Sequence, residues 1–173
     1  MNGRTAKMMA EEIWGTIEHP TIIDIADIIM SFWRRECRVD PGAVWEDIIL
    51  WKMDLRGAYT LLSFDPRDAH LFGMELSDDL LIFFLCGEFG WSCTPFAFQV
   101  FSRALLFELQ SLLVGMILIY VDLMGVYWKK DLQSELSKAR LMCTSLLGPT
   151  AVSDTKTQSG RRLVIIGYLV DLD

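Results

Sequence analysis

No two of the four cysteines, Cys37, Cys86, Cys93 and Cys143, stand at CxxC spacing, and the two histidines, His19 and His70, lie far apart. A zinc finger or ribbon is thereby excluded. Scattered cysteines suit a reducing compartment, where they serve as buried thiols. Basic residues are also scarce: 16 Lys and Arg stand against 23 Asp and Glu, a net charge of -7. A free-standing nucleic-acid binder normally presents a basic face, and this chain has no basic segment from which to build one. Long apolar runs are missing too. The longest, Leu112 to Val121, is about half of the roughly 20 residues needed to span a bilayer, and the N-terminal stretch has no apolar signal core. The expectation is a soluble intracellular chain, cytoplasmic or nuclear, with no membrane partner. Repeats, linkers and low-complexity tracts are absent as well.

What is present is a large apolar fraction, 52% of 173 residues, enough for one sizeable core. The organising stretch is Gly115 to Trp128. Apolar residues run up to Asp122, and an aromatic, β-branched run resumes after it, which predicts strand, tight turn, strand with Asp122 at the tip. An ionised carboxylate at the end of a buried strand is costly unless a cation or hydrogen-bond donors meet it. Asp122 is therefore a candidate metal ligand, although Asp is also a common turn former.

Elsewhere, Met8, Met9, Ile13, Trp14 and Ile17 suggest a short amphipathic helix. A clearer one starts after Pro20 through Ile22, Ile25, Ile29 and Trp33, with Arg34 and Arg35 in its last turn. Residues 39–44, holding Pro41 and Gly42, read as a loop. Ile48 to Met53 form a nearly continuous apolar run bounded by Asp54, as in a buried strand that ends in a carboxylate. Standing alone, Asp54 reads as a helix N-cap. A hairpin is predicted around Ser77, Asp78 and Asp79, its acids being turn residues. Thr94 as N-cap with Pro95 at the first helical position opens a helix striped by Phe98, Phe101, Leu105 and Leu109. Another helix runs from Asp131 to Gly148-Pro149. Residues 151–160, including Lys156, read as a polar loop, and 161–172 as a further strand or hairpin.

The order of these motifs carries a resemblance. Lys52-Met53-Asp54-Leu55 followed by Gly57-Ala58-Tyr59, a hairpin, Phe89-Gly90 with Thr94-Pro95 and Phe98-Gln99, Tyr120-Val121-Asp122, Leu147-Gly148 with Lys156, and Gly167-Tyr168 together resemble the palm of a reverse transcriptase of the long-terminal-repeat retrotransposon kind. Each match is short, and five fall in the right order. The resemblance implies an α+β palm-like fold, a small antiparallel sheet with helices packed on one face. It divides the chain into a helical remnant of the fingers over 1–44 and a palm over 45–173.

By the same resemblance, Asp54 and Asp122 would bind two Mg²⁺ ions with help from the Leu55 carbonyl. Tyr59 would stack beneath the incoming sugar and exclude a 2′-hydroxyl. Gly90 and Gln99 would lie near the template and nucleotide, and Lys156 would face the triphosphate. The implied activity is RNA-directed DNA polymerisation on an RNA or DNA template-primer with deoxynucleoside triphosphates, with other polyprotein segments as further partners. Nucleotidyl transfer needs hard oxygen ligands converging from separate strand ends. Two departures bear on activity. Leu123 stands where the family has a second aspartate, and losing one preorganised electrostatic group costs on the order of 10²–10³ in rate, which predicts weak or absent polymerisation. Replacing Leu123 by Asp, with fingers and thumb supplied, should then raise extension. By the same resemblance, these 173 residues are expected to correspond to a palm with at most part of the fingers, without thumb, connection or RNase H segments. The alternatives are a non-catalytic remnant acting as a folded interaction module, and an unrelated α/β domain in which Asp54 and Asp122 serve a cap and a turn. Neighbouring strands carrying the two aspartates would separate the polymerase reading from the last of these.

Overall fold

The computed structural model describes residues 6–91 and 93–173. The first five residues of the N-terminal segment and Ser92, in the loop before Thr94, lie outside them. The chain divides into two compact units, one of residues 1–17 and 57–101, the other of residues 18–56 and 102–173. Among the described residues no helix is long and apolar enough to cross a membrane.

The larger unit is built on a four-stranded antiparallel sheet. Its strands are β1 (Ile48–Leu55), β4 (Met116–Ile119), β5 (Leu123–Trp128) and β6 (Val152–Gly160), in the order β4-β5-β1-β6. Strand β1 pairs with β5 from Ile48↔Trp128 to Met53↔Leu123. Alternation then sends Ile48, Leu50, Lys52 and Asp54 to one face and Trp51, Met53 and Leu55 to the other. Helix α2 (Ile22–Val39) covers the first face, with Ile25, Ile29 and Phe32 packed against Ile48, Leu50, Met124 and Val126. A two-stranded hairpin of β7 (Arg162–Ile165) and β8 (Tyr168–Asp171) joins this cluster through Leu163, Ile165 and Val170.

The opposite face is equally dry. Trp51 and Tyr127 are buried there, their rings stacked with centroids 5.7 Å apart and planes 7° apart. Glycines make the room. A Cβ at Gly125 would come within 2.5 Å of the Trp51 indole, and one at Gly115 would overlap the Tyr127 ring. Helix α4 (Leu132–Leu147) reaches this face. Burial, and then the negative charge of Glu135 on that helix, push the Tyr127 hydroxyl above its ordinary range. Helices therefore cover both faces, correcting the one-face expectation. The reason lies in β1 itself, whose near-continuous apolar run must be buried on both sides.

Other boundaries also differ from expectation. Residues 152–160 are a strand rather than a loop, because an edge strand with solvated Thr, Gln and Ser side chains needs no apolar alternation. Helix α2 extends to Val39, capped by a reciprocal Thr21–Asp24 box, so Arg34 and Arg35 fall within it and Arg38 occupies the last turn. Helix α4 ends at Gly148 with φ 98°, as its Gly-Pro stop predicts. Of the cysteines, Cys143 is buried and the other three are half-buried.

The smaller unit contains α1 (Ala6–Trp14), a 3-10 turn at Ala58–Leu61, and the hairpin of β2 (Gly73–Ser77) and β3 (Leu80–Phe83) turning at Asp78 and Asp79. Phe64 stacks on Phe72 at 4.3 Å, and Trp91 meets both edge-on. Helix α3 (Thr94–Leu112) begins in this unit. Thr94 opens it, but its buried hydroxyl finds no hydrogen-bond partner among the described residues and so does not act as the predicted cap.

Candidate functional site

The last register pair of β1 and β5 is Met53↔Leu123, and one step further along both strands sets Asp54 opposite Asp122. The intervening turn is tight, Ile119 pairing with Leu123 while the Tyr120 N–H donates to the Asp122 carbonyl at 3.1 Å. His19 braces this turn edge-on against the Tyr120 ring at 4.6 Å. The Leu55 N–H donates to Asp122 Oδ1 at 3.3 Å, a second tie between the two strand ends. Asp54 is thus the penultimate residue of a strand, not a helix cap, and Asp122 sits at the predicted hairpin tip.

Lys156 arrives from the far side of the sheet. Between the pairs Lys52↔Gln158 and Asp54↔Ser153, β6 bulges so that Met53 stands opposite four residues, Asp154 to Thr157. Bulges re-aim side chains. Here the bulge brings Lys156 Nζ to 3.2 Å from Asp54 Oδ1, with the lysine side chain 69% exposed and Asp54 19%. Lys52 Nζ donates to the Val164 carbonyl at 3.0 Å on the same side of the sheet.

The electrostatics are those of an undercompensated carboxylate pair. Burial raises the Asp122 carboxyl above its ordinary value, and the neighbouring Asp54 raises it further; the Leu55 N–H, Lys156 and Lys52 oppose these effects. A divalent cation between the two carboxylates would relieve the repulsion. Hard carboxylate oxygens suit Mg²⁺, which commonly takes one or two protein carboxylates and fills its remaining positions with water and phosphate oxygens. No group of three or more His, Cys, Asp or Glu side chains able to hold a metal occurs among the described residues. A cavity of about 250 Å³ adjoins Asp122, lined also by Lys52, Leu118, Tyr120, Met124 and Ile166 among others.

Leu123 is fully buried and, by alternation, points to the face opposite Asp54 and Asp122. An aspartate introduced there would enter the core beside Met53 rather than stand in water. The Leu123→Asp variant therefore carries a folding cost that the sequence does not disclose.

The larger unit brings together Asp54, Leu55, Asp122 and Lys156. The visible contribution of Leu55 is its N–H. Tyr59, Gly90 and Gln99 belong to the smaller unit. There the Tyr59 ring packs on Phe89 at 4.9 Å and Phe98 at 5.6 Å, Gly90 has φ 100°, and the Gln99 amide donates to the Thr16 carbonyl at 3.2 Å. One buried polar group was not foreseen. Glu135 accepts hydrogen bonds from the Val114 N–H at 2.8 Å and from Lys138 Nζ at 2.7 Å. A Glu followed three residues later by Lys is common on exposed helix faces, so only the Lys138 spacing hinted at a pair.

Compared with known proteins, the chain matches no protein-family model and no curated protein.

Proposed function

We propose that this chain is the palm region of a reverse transcriptase from a long-terminal-repeat-type retroelement polyprotein, with a two-carboxylate site that binds Mg²⁺. The observation that carries the reading is the meeting of Asp54 and Asp122 from neighbouring antiparallel strands, with Lys156 3.2 Å from Asp54. Three sequence motifs far apart in the chain converge there, a coincidence that an unrelated cap and turn would not require.

Asp54 and Asp122 would hold the divalent ions, which when bound would lower the pKa of the attacking hydroxyl and offset charge on the leaving oxygen. Lys156, mostly exposed on its bulge, is free to exchange its ion pair with Asp54 for a contact with an anionic phosphate. Tyr59, Gly90 and Gln99 take their roles toward nucleotide and template from the motif resemblance. With two carboxylates and Leu123, the expected rate lies on the order of 10²–10³ below that of a site with the full set.

A second reading, a folded interaction module without catalysis, is favoured by the burial of Leu123 in the core, where it contributes to stability rather than chemistry. Primer extension on an RNA template with Mg²⁺ or Mn²⁺ separates the two. Extension that vanishes in Asp54→Asn supports the polymerase reading. Extension that persists in Asp54→Asn contradicts it, and none from either chain favours the module.

A further inference from the structure

The β2–β3 hairpin stands alone as a two-stranded sheet, and nearly all of its residues are exposed. Isolated hairpins are marginal in water, and a long apolar edge is a template for another strand. Strand β3 begins the run Leu80-Leu81-Ile82-Phe83-Phe84-Leu85, six residues with no charge, Gly or Pro, which is the composition of self-pairing segments. Leu81 is 60% exposed and Phe83 50%.

Among the described residues, the backbone of this edge is unpaired in a defined register. The Phe84 N–H donates to the Phe72 carbonyl, so by the period of two Leu81 and Phe83 turn their N–H and C=O groups away from β2. Further along, the Leu85 carbonyl accepts from the Phe64 N–H, which closes the edge beyond Phe84. A partner strand can therefore pair only alongside residues 80–83.

We propose that this edge pairs with β3 of a second copy of the chain, antiparallel and two-fold symmetric about Ile82. The occupant is set by self-complementarity. With Ile82 opposite Ile82, Leu81 of each copy faces Phe83 of the other, and both of these are the outward-facing residues, so each pair exchanges two hydrogen bonds. The acids at the turn, Asp78 and Asp79, then lie at opposite ends of the new sheet. Two copies of an acidic chain meet through a strand that carries no charge. Four strands replace two, with Leu81 and Phe83 of both copies on one face.

Sedimentation of the full chain over a range of concentrations tests this. A reversible dimer is expected, weakened more than about tenfold by Leu81→Lys, which charges the edge, and by Leu81→Pro, which removes an N–H that β2 does not use. A parallel measurement uses Ile82→Cys with Cys37, Cys86 and Cys93 replaced by Ser. The central non-hydrogen-bonded pair is close enough for a disulfide, so oxidation should yield a covalent dimer. A monomer at all concentrations, or a dimer that survives both Leu81 substitutions without an Ile82→Cys cross-link, overturns the proposal.

Discussion

Strands β1 and β3 are both apolar runs in antiparallel pairs, yet β1 is sandwiched between helices on two faces while β3 presents its side chains to solvent. Composition does not separate them. What separates them is supply: β1 lies second from an edge in a sheet that α2 covers on one side and α4 reaches on the other, whereas among the described residues β2 alone pairs with β3. An apolar run therefore reports a strand without reporting what covers it.

The same charge placed in both strand systems should give the largest difference. Leu123→Asp buries a carboxylate with no partner and should cost more than about 4 kcal/mol, enough to unfold many domains. Leu81→Asp, at a mostly exposed site, should stay within about 0.5 kcal/mol in dilute solution. Chemical denaturation of the two variants measures both. Leu123 lies on β5, the neighbour of β1, so equal losses would mean that the two sheets are not differently covered.

Glycine substitutions give a smaller contrast. Gly115→Ala must displace the Tyr127 ring and should cost roughly 3 kcal/mol, the range for overpacking. Gly90→Ala meets nothing within 4 Å and bears only the strain of φ 100°, about 1 kcal/mol. Thermal melts rank them.

The β7–β8 turn offers a gain. Ile166 and Gly167 have φ of 49° and 79°, and a β-branched residue is strained in the left-handed region. Ile166→Asn should stabilise by about 1 kcal/mol, seen as a raised Tm.

The smallest effect is electrostatic. Because burial and Asp54 raise Asp122 above 3.8, its ionised form is disfavoured in the folded chain. That penalty is absent below 3.8, grows as pH rises to the folded value and is constant above it, so stability from this group falls as pH rises through that window. Asp54→Asn should lower the Asp122 midpoint, and Lys156→Met should raise it. Carboxyl NMR titration reads both.

Much of this was legible because it depends on local pattern. The Asp122 tip, the Asp54 strand end, the Asp78-Asp79 turn and the Gly148 stop follow from residues adjacent to them. Strand β6 was not legible, since an edge strand of Ser, Thr and Gln has the composition of a loop and is defined by its pairing with β1. The Lys156 bulge follows from that pairing and was hidden with it. The inward direction of Leu123 depends on register with Met53, and the burial of Glu135 on the Val114 N–H it accepts, neither of which any short window contains.

The proposed divalent-cation site of Asp54 and Asp122 is tested by a Mg²⁺ titration followed at the Asp122 carboxyl by NMR, in the unsubstituted chain and in Asp54→Asn. A saturable shift with a lowered Asp122 midpoint, lost in Asp54→Asn, is the predicted result. A carboxyl that ignores Mg²⁺, or responds equally in Asp54→Asn, would contradict it.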